Sequence, residues 1–310
     1  MAEHVHNHEH HQHGAGHVHA PAGFGKAFAI GITLNTAFVV IEAIYGISSN
    51  SMALLADAGH NLSDVLGLIV AWGAAVLSKR APSTRFTYGL RGTSILAALF
   101  NAVFLLVSVG AIGWEAVTRL IQPEPVVGKT VMIVAAVGIL INGATAWLFA
   151  SGRKGDLNIR GAFLHMAADA AISAGVVAAG FVILLTGWLW LDPAVSLVIV
   201  GVIIWGTWDL LRDSVTMSLD AVPAAINLAD VEKMLLGRSG VSGVHDLHIW
   251  PMSTTEIALT AHLVMCDGCP NDKFLFETAH ELREHHGIDH VTLQIETEGS
   301  GCPLAPAHIV

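Results

Sequence analysis

Apolar residues gather in six stretches, at about 26–47, 53–78, 91–119, 126–150, 161–186 and 190–211. Each meets the roughly 20-residue length a helix needs to cross a bilayer. Gly, Ser and Ala recur within them, as expected where helices pack closely in lipid. Polar residues interrupt several stretches, so the pattern predicts a bundle of six packed helices rather than simple anchors. Beyond Ser214 the pattern changes. Leu228–Leu236 has helical periodicity with Asn227 as a cap, and Asn271–His286 is a second helix stopped at Gly287. Val244–Trp250, Ile257–Met265 and Val291–Thr297 read as strands, rich in β-branched and apolar residues. The order α-β-β-α-β predicts a small α+β domain with helices on one sheet face.

These boundaries divide the chain into a His-rich tail at 1–22, a transmembrane domain of six helices at 23–213, an α+β domain at 214–298 and an irregular Gly/Pro-rich tail at 299–310. The connections orient the bundle. Lys79, Arg80, Arg85 and Arg91 flank the link between the second and third stretches; Arg153, Lys154 and Arg160 flank that between the fourth and fifth. Lys26 before the first stretch and Arg212 after the last agree, whereas the links at Ser48–Ser51 and Thr186–Gly187 carry no positive charge. By the positive-inside bias the basic links and both termini are cytosolic. The N-terminus lacks the basic n-region and short apolar core of a signal peptide.

Composition agrees with a chain that lives largely in lipid: of 310 residues 53% are hydrophobic and only 13% charged, against about 25% charged in ordinary soluble domains. The formal charge of −10 is concentrated at one end, since Ser214–Val310 holds thirteen Asp or Glu against four Lys or Arg. An acidic domain argues against nucleic acid or anionic lipid as its partner and suits cations. Three cysteines, Cys266, Cys269 and Cys302, form no disulfide framework and suggest reduced thiols.

Two apolar stretches contain the same step, His60-x-x-x-Asp64 and His165-x-x-x-Asp169. Four residues on a helix put both side chains on one face. A carboxylate at the bilayer centre costs at least about 2.5–3.5 kcal/mol, so it should face the bundle interior and have a partner. Two imidazoles and two carboxylates can complete a four-coordinate shell around a zinc-like cation. The plainer alternative is a pair of buried His–Asp hydrogen bonds that fix helix packing. Asp57 and Asn61 share a face with the first pair and could support it; Asn35, Glu42 and Asn142 read more simply as structural hydrogen bonders. Glu115 with Arg119, and Asp209 with Arg212, read as interfacial ion pairs.

His4, His6, His8, His10, His11, His13, His17 and His19 alternate with small or polar residues. Such a segment builds no core and is expected to be disordered, either a low-affinity metal-collecting tail or a solvated one with incidental affinity. In the α+β domain His245, His248, His262, His280, His285, His286 and His290 cluster with Asp246 and Glu296. His245 and His248 are three apart, so in a regular strand only one of them joins a given site. The lone Cys266-Asp-Gly-Cys269 is a weak metal signal without a second pair.

The chain resembles the cation diffusion facilitators, in the zinc-transporting branch of bacterial metal-resistance exporters and vesicular transporters. The resemblance runs from Lys26 to Glu298 and rests on Leu-Leu-Ala-Asp-Ala-Gly-His60-Asn-Leu-Ser-Asp64, Arg-Phe-Thr-Tyr-Gly-Leu-Arg91, Gly-Ala-Phe-Leu-His165-Met-Ala-Ala-Asp169, Val-His245-Asp-Leu-His248-Ile-Trp250 and His290-Val-Thr-Leu-Gln-Ile-Glu296. It implies a homodimer in a bacterial inner membrane, with a ferredoxin-like fold for the cytosolic domain. It implies a transport site of His60, Asp64, His165 and Asp169, of zinc-preferring composition. His245, His262 and Glu296 fall on cytosolic zinc-ligand positions, with His248, His280 and His290 less securely placed. Residues 80–91 contain no His, Asp, Glu or Cys, so the loop metal site of some relatives is not expected. Gln294 stands where some relatives have a histidine ligand, and Cys302 resembles C-terminal cysteines that bind zinc elsewhere in the family.

The function expected is proton-coupled Zn²⁺ efflux by alternating access, with Zn²⁺ as both substrate and regulatory ligand of the domain, protons as counter-ion and no enzymatic chemistry. Zinc needs deprotonated ligands, so binding releases protons and protonation helps release metal. An intramembrane zinc protease would need a Glu base such as H-E-x-x-H supplies, and that motif does not occur. Export of Co²⁺, Ni²⁺ or Cd²⁺, or a membrane-anchored sensor without transport, are the alternatives.

Overall fold

The computed structural model describes residues 26–78, 80–150, 157–265, 270–297, 302 and 304. Six long helices come first: α1 (Lys26–Ser48), α2 (Met52–Ser78), α3 (Thr93–Ile121), α4 (Gly128–Ala150), α5 (Leu157–Thr186) and α6 (Leu191–Ser218). They match the six apolar stretches, except that α5 starts four residues before its apolar run and α6 continues to Ser218, past the expected end at 211. Among the described residues four segments are long and apolar enough to cross a membrane: α3, Gly128–Trp147, Leu164–Thr186 and α6. Thr33–Ser48 of α1 is a shorter apolar helix, and Asp57, His60, Asn61 and Asp64 break the apolar run of α2.

The described residues form two compact units. Those within Met1–Ile69 and Asn101–Leu210 make the first, and those within Val70–Phe100 and Leu211–Val310 the second. The first is a helix bundle whose core takes side chains from each of α1–α6, including Phe38, Leu54, Leu105, Val131, Val176 and Ile203. Large apolar side chains also point outward, among them Ile47, Val107, Trp114, Leu140, Trp147, Leu185 and Trp205. A water-soluble bundle would not leave so much apolar surface bare; lipid accounts for it. Where α4 and α5 cross, a Cβ on Gly180 would lie 2.9 Å from Met132 and 3.2 Å from the Gly128 carbonyl, so the absent side chain is what lets the backbones approach.

The N-terminus of α2 is closed by another helix. Asp192, in the first turn of α6, accepts a 2.6 Å hydrogen bond from the Met52 amide and one from Ser51 Oγ. Ser51 Oγ in turn accepts from the Leu54 amide, which satisfies a free donor of the first turn. Arg119 pairs with Glu115 at 3.0 Å, as expected from their spacing, and donates to the Asn50 carbonyl at 2.7 Å. Asp209 and Arg212 form no such pair within 4.0 Å.

The second unit holds α7 (Leu228–Leu236), β1 (Val241–Pro251), β2 (Ile257–Met265), α8 (Asp272–His286) and β3 (His290–Thr297). The sheet order is β1-β2-β3, with β1 antiparallel and β3 parallel to β2. A parallel neighbour needs a crossover, and α8 supplies it. Val231 and Leu235 of α7 and Leu282 of α8 pack on Ile249, Leu259, Ala261 and Leu263 of the sheet. Asn227 and Asn271 cap the two helices through their side chains, and Gly287 ends α8 at φ +66°. Arg91 binds Glu256 at 2.8 Å and Ser94 Oγ accepts from the Thr254 amide at 3.1 Å, which holds Arg91 and the first turn of α3 against the β1–β2 turn.

Candidate metal sites

His60 and Asp64 sit one turn apart on α2, and His165 and Asp169 one turn apart on α5. The structure brings all four together. His60 Nε2 lies 3.3 Å from Asp169 Oδ1 and 3.8 Å from Asp64 Oδ2. His165 Nε2 lies 3.1 Å from Asp64 Oδ2 and 3.7 Å from Asp169 Oδ2. The imidazole rings meet edge to face at 5.9 Å. Imidazoles and carboxylates therefore alternate around a ring. A tetrahedron with bonds of about 2.0–2.1 Å has edges of about 3.3 Å; the four imidazole–carboxylate distances lie near that value, and ligand atoms of His60, Asp64 and Asp169 all fall within 4.8 Å of one another.

Asp169 is buried, yet among the described residues neither of its carboxylate oxygens receives a hydrogen bond of good geometry; the same holds for Asp64 Oδ2 and His60 Nδ1. Buried polar atoms without partners are costly, and a divalent cation between these donors would satisfy the oxygens. The four side chains are not equally covered: Asp169 is 1% exposed and His60 18%, while Asp64 and His165 reach 31% and 33%.

Next to this tetrad lies a second set of buried polar groups. Glu42 of α1, Asp57 and Asn61 of α2, and Ser173 of α5 are all buried. Asn61 donates to Glu42 Oε2 at 3.3 Å and Ser173 to Asp57 Oδ2 at 3.1 Å. Asn35 donates to the Met166 sulfur at 3.5 Å. Asn142 is buried, and among the described residues neither of its amide atoms has a hydrogen-bond partner.

The second cluster is in the C-terminal unit. Register pairs His245 of β1 directly with His262 of β2, and Glu296 of β3 lies across from Val264, two residues along β2 from His262. Glu296 contacts His245 Nε2 at 3.0 Å and His262 Nδ1 at 2.9 Å. Cys302 Sγ lies 3.7 Å from His262 Nδ1, and ligand atoms of His245, His262, Glu296 and Cys302 all fall within 4.8 Å of one another. Burial pushes the Glu296 carboxyl up, but hydrogen bonds from Cys302, Gln294 and His245 outweigh it and hold the group at about 2. Burial also raises the Cys302 thiol, as do Glu296 and Asp246, against a smaller opposing hydrogen bond at Leu304. A cation would reverse that balance, because a coordinated thiol loses its proton.

His245 joins this cluster and His248 does not. A bulge between them puts Asp246 at φ +50°, and Asp246 bridges His262 at 3.3 Å to His248 at 2.9 Å. His280 is exposed on α8, and His290, at the start of β3, packs against Tyr88 at 5.5 Å. Gln294 donates to Glu296 Oε1 at 2.9 Å, so it positions a carboxylate where a histidine would bind. Cys302 was legible only by resemblance, since nothing in the Gly/Pro-rich tail signals a return to the sheet. The histidines from His4 to His19 and the Cys266/Cys269 pair lie outside the described residues.

Fold and sites together define an integral membrane protein: a helix bundle with polar metal-type donors inside it, joined to a small α+β domain with a second donor cluster. Residues 28–217 match the model of the cation efflux transmembrane domain, and residues 223–298 that of the cation efflux protein cytoplasmic domain. The chain belongs to the cation efflux family, whose members are transporters rather than enzymes. It is 36% identical over 277 residues to the metal cation efflux system protein CzcD of Cupriavidus metallidurans, covering 89% of this chain and 88% of that one. It is 35% identical over 278 residues to a cadmium, cobalt and zinc/H⁺-K⁺ antiporter of Bacillus subtilis, covering 88% and 89%. It is 34% identical over 282 residues to the zinc transporter ZitB of Escherichia coli, covering 89% of each. A solved metal-bound C-terminal domain of a CzcD transporter aligns with 23% of this chain and 99% of its own, at 40% identity and a TM-score of 0.21.

Proposed function

We propose that this protein exports Zn²⁺ from the cytosol in exchange for protons, through the tetrad His60, Asp64, His165 and Asp169. The observation that supports this most is the alternating ring of two imidazoles and two carboxylates, with unpartnered oxygens, inside a bundle covered by apolar side chains. All six helices cross the membrane, a bacterial inner membrane, with both termini cytosolic. The C-terminal domain, ferredoxin-like, begins near residue 214 and pairs protomers into a homodimer. Its cluster of His245, His262 and Glu296, joined by Cys302, takes regulatory Zn²⁺, and the N-terminal histidines collect metal at low affinity.

The chemistry follows from the donors. Imidazole titrates near neutral pH, so His60 and His165 can take up protons as metal leaves. Protonated imidazoles remain beside the carboxylates and offset their charge; deprotonated, they coordinate. Rocking of the helices exposes the ring to one side and then the other, as midplane sites in other secondary transporters are exposed. Two nitrogen and two oxygen donors suit zinc but also accept cobalt or cadmium, which the name of the Bacillus relative accommodates. Zinc flux into proteoliposomes driven by a pH step is the test. Asp64→Ala or Asp169→Ala should abolish it while the dimer stays folded. Normal flux in either variant overturns the site; metal binding without flux in the wild type leaves a sensor instead.

A further inference from the structure

Glu42 and Asp57 stand out among the buried groups because Glu42 is hydrogen bonded to Asn61, one turn along the same face of α2 from Asp57, so the two carboxyls share one buried patch. Both are fully buried. Their outer oxygens have neutral donors, from Asn61 to Glu42 Oε2 and from Ser173 to Asp57 Oδ2. Their remaining oxygens, Glu42 Oε1 and Asp57 Oδ1, receive no hydrogen bond from the described residues. Two buried carboxyls on one patch, met only by neutral donors, do not both stay ionised; one of them holds a proton.

Their position along the helices matters equally. Asp57 precedes His60 by three residues on α2, and Ser173 follows Asp169 by four on α5. Glu42 lies six residues before the end of α1, which turns directly into α2. At 1.5 Å per residue the pair sits about one turn from the tetrad, toward the α1–α2 and α5–α6 links. In the export reading, on which this inference rests, that is the side where cargo leaves.

We propose that Glu42 carries a proton shared with Asp57, forming a counter-ion site separate from the metal ligands. The charged groups that act on it are Asp57 and His60 of α2 and Asp169 of α5. The α4 helix, which also packs on α1, carries the neutral Asn142. A divalent cation in the tetrad adds two positive charges one turn away and favours the ionised pair. The Glu42 O–H bond then breaks and the proton leaves to water; reprotonation from the exit side weakens the cation's hold. The coupling is reciprocal, as linkage requires.

Infrared difference spectra of the full-length wild type, zinc-free against zinc-loaded near neutral pH, test this. A protonated-carboxyl band should disappear on zinc binding and be missing from Glu42→Gln. Proton release on zinc binding should fall by about one per protomer in that variant. No zinc-linked loss of such a band in the wild type overturns the proposal without any variant, and so does a band that persists in Glu42→Gln. Failure of the export reading shows differently, as wild-type protein that binds zinc but moves none across proteoliposomes under a pH step.

Discussion

The shortest contacts in the tetrad run between α2 and α5, at 3.1 and 3.3 Å, and the longer ones along each helix, at 3.7 and 3.8 Å. Neither helix alone offers a compact donor set, so the proposed metal site requires the two to be packed together. In the C-terminal cluster, Cys302 adds a soft thiolate donor to two imidazoles and a carboxylate. Cys302→Ser should weaken zinc binding there by about tenfold or more, the range seen even when outer partners of ligands are removed; calorimetry on the full chain, with the tetrad unchanged, measures it. Glu296 adds a pH dependence. Its carboxyl is held at about 2 against an ordinary 4.5, so the folded form binds its proton less readily than the unfolded chain. The ionised group contributes stability in full above about pH 4.5, and the contribution is lost as the pH falls toward about 2. Metal-free Glu296→Gln should therefore lose less stability than the wild type across that interval, as followed by urea denaturation. The tetrad was legible in the sequence because an i, i+4 step is local and a carboxylate in an apolar run is conspicuous. The bridging contact of Asp246 was not, since it depends on a bulge that breaks strand alternation, and Cys302 was legible only by resemblance, since nothing local signals where an irregular tail returns.

Helix ends and crossings show the same division between local and long-range information. Asn271 and Gly287 bracket α8 as the sequence predicts, and Gly287 takes φ +66° with no atom near the position of a Cβ. A methyl group there meets no neighbour, so the cost of Gly287→Ala is that of the backbone conformation, about 1–2 kcal/mol. A lower denaturation midpoint of the C-terminal unit in the full chain checks it, and Asn271→Ala should cost about 1 kcal/mol by loss of the cap. Within the bundle, Gly180 faces Met132 and the Gly128 carbonyl across α4 and α5. Gly180→Leu should separate these helices and reduce folded protein recovered in detergent, whereas substitution at Gly143, which has open space, should not. The apolar runs announced the long helices, of which four are long and apolar enough to cross a membrane among the described residues, because burial in lipid demands whole apolar segments. That Asp192 of α6 caps α2 was not legible, since about 140 residues separate the partners and neither end carries a periodic signal.

The two units differ most in charge and in what surrounds them. The bundle shows lipid an apolar surface with exposed tryptophans such as Trp114, Trp147 and Trp205, while Ser214–Val310 carries nine more acidic than basic residues. Two copies of such a domain repel each other when brought together. Each cation held by His245, His262, Glu296 and Cys302 removes two negative charges from that balance, or one where the Cys302 proton is displaced. Zinc should therefore strengthen association of the full-length protein in detergent, measured as a lower dissociation constant in sedimentation. The gain should be largest at low ionic strength and shrink as the Debye length falls to about 10 Å at 0.1 M salt. Glu296→Gln, which removes a ligand along with a negative charge, separates the two contributions. Under pure repulsion the variant associates more tightly than the wild type without zinc and responds less to it. A zinc-induced gain that is independent of salt would instead mean that the metal acts by reshaping the domain rather than by neutralising it.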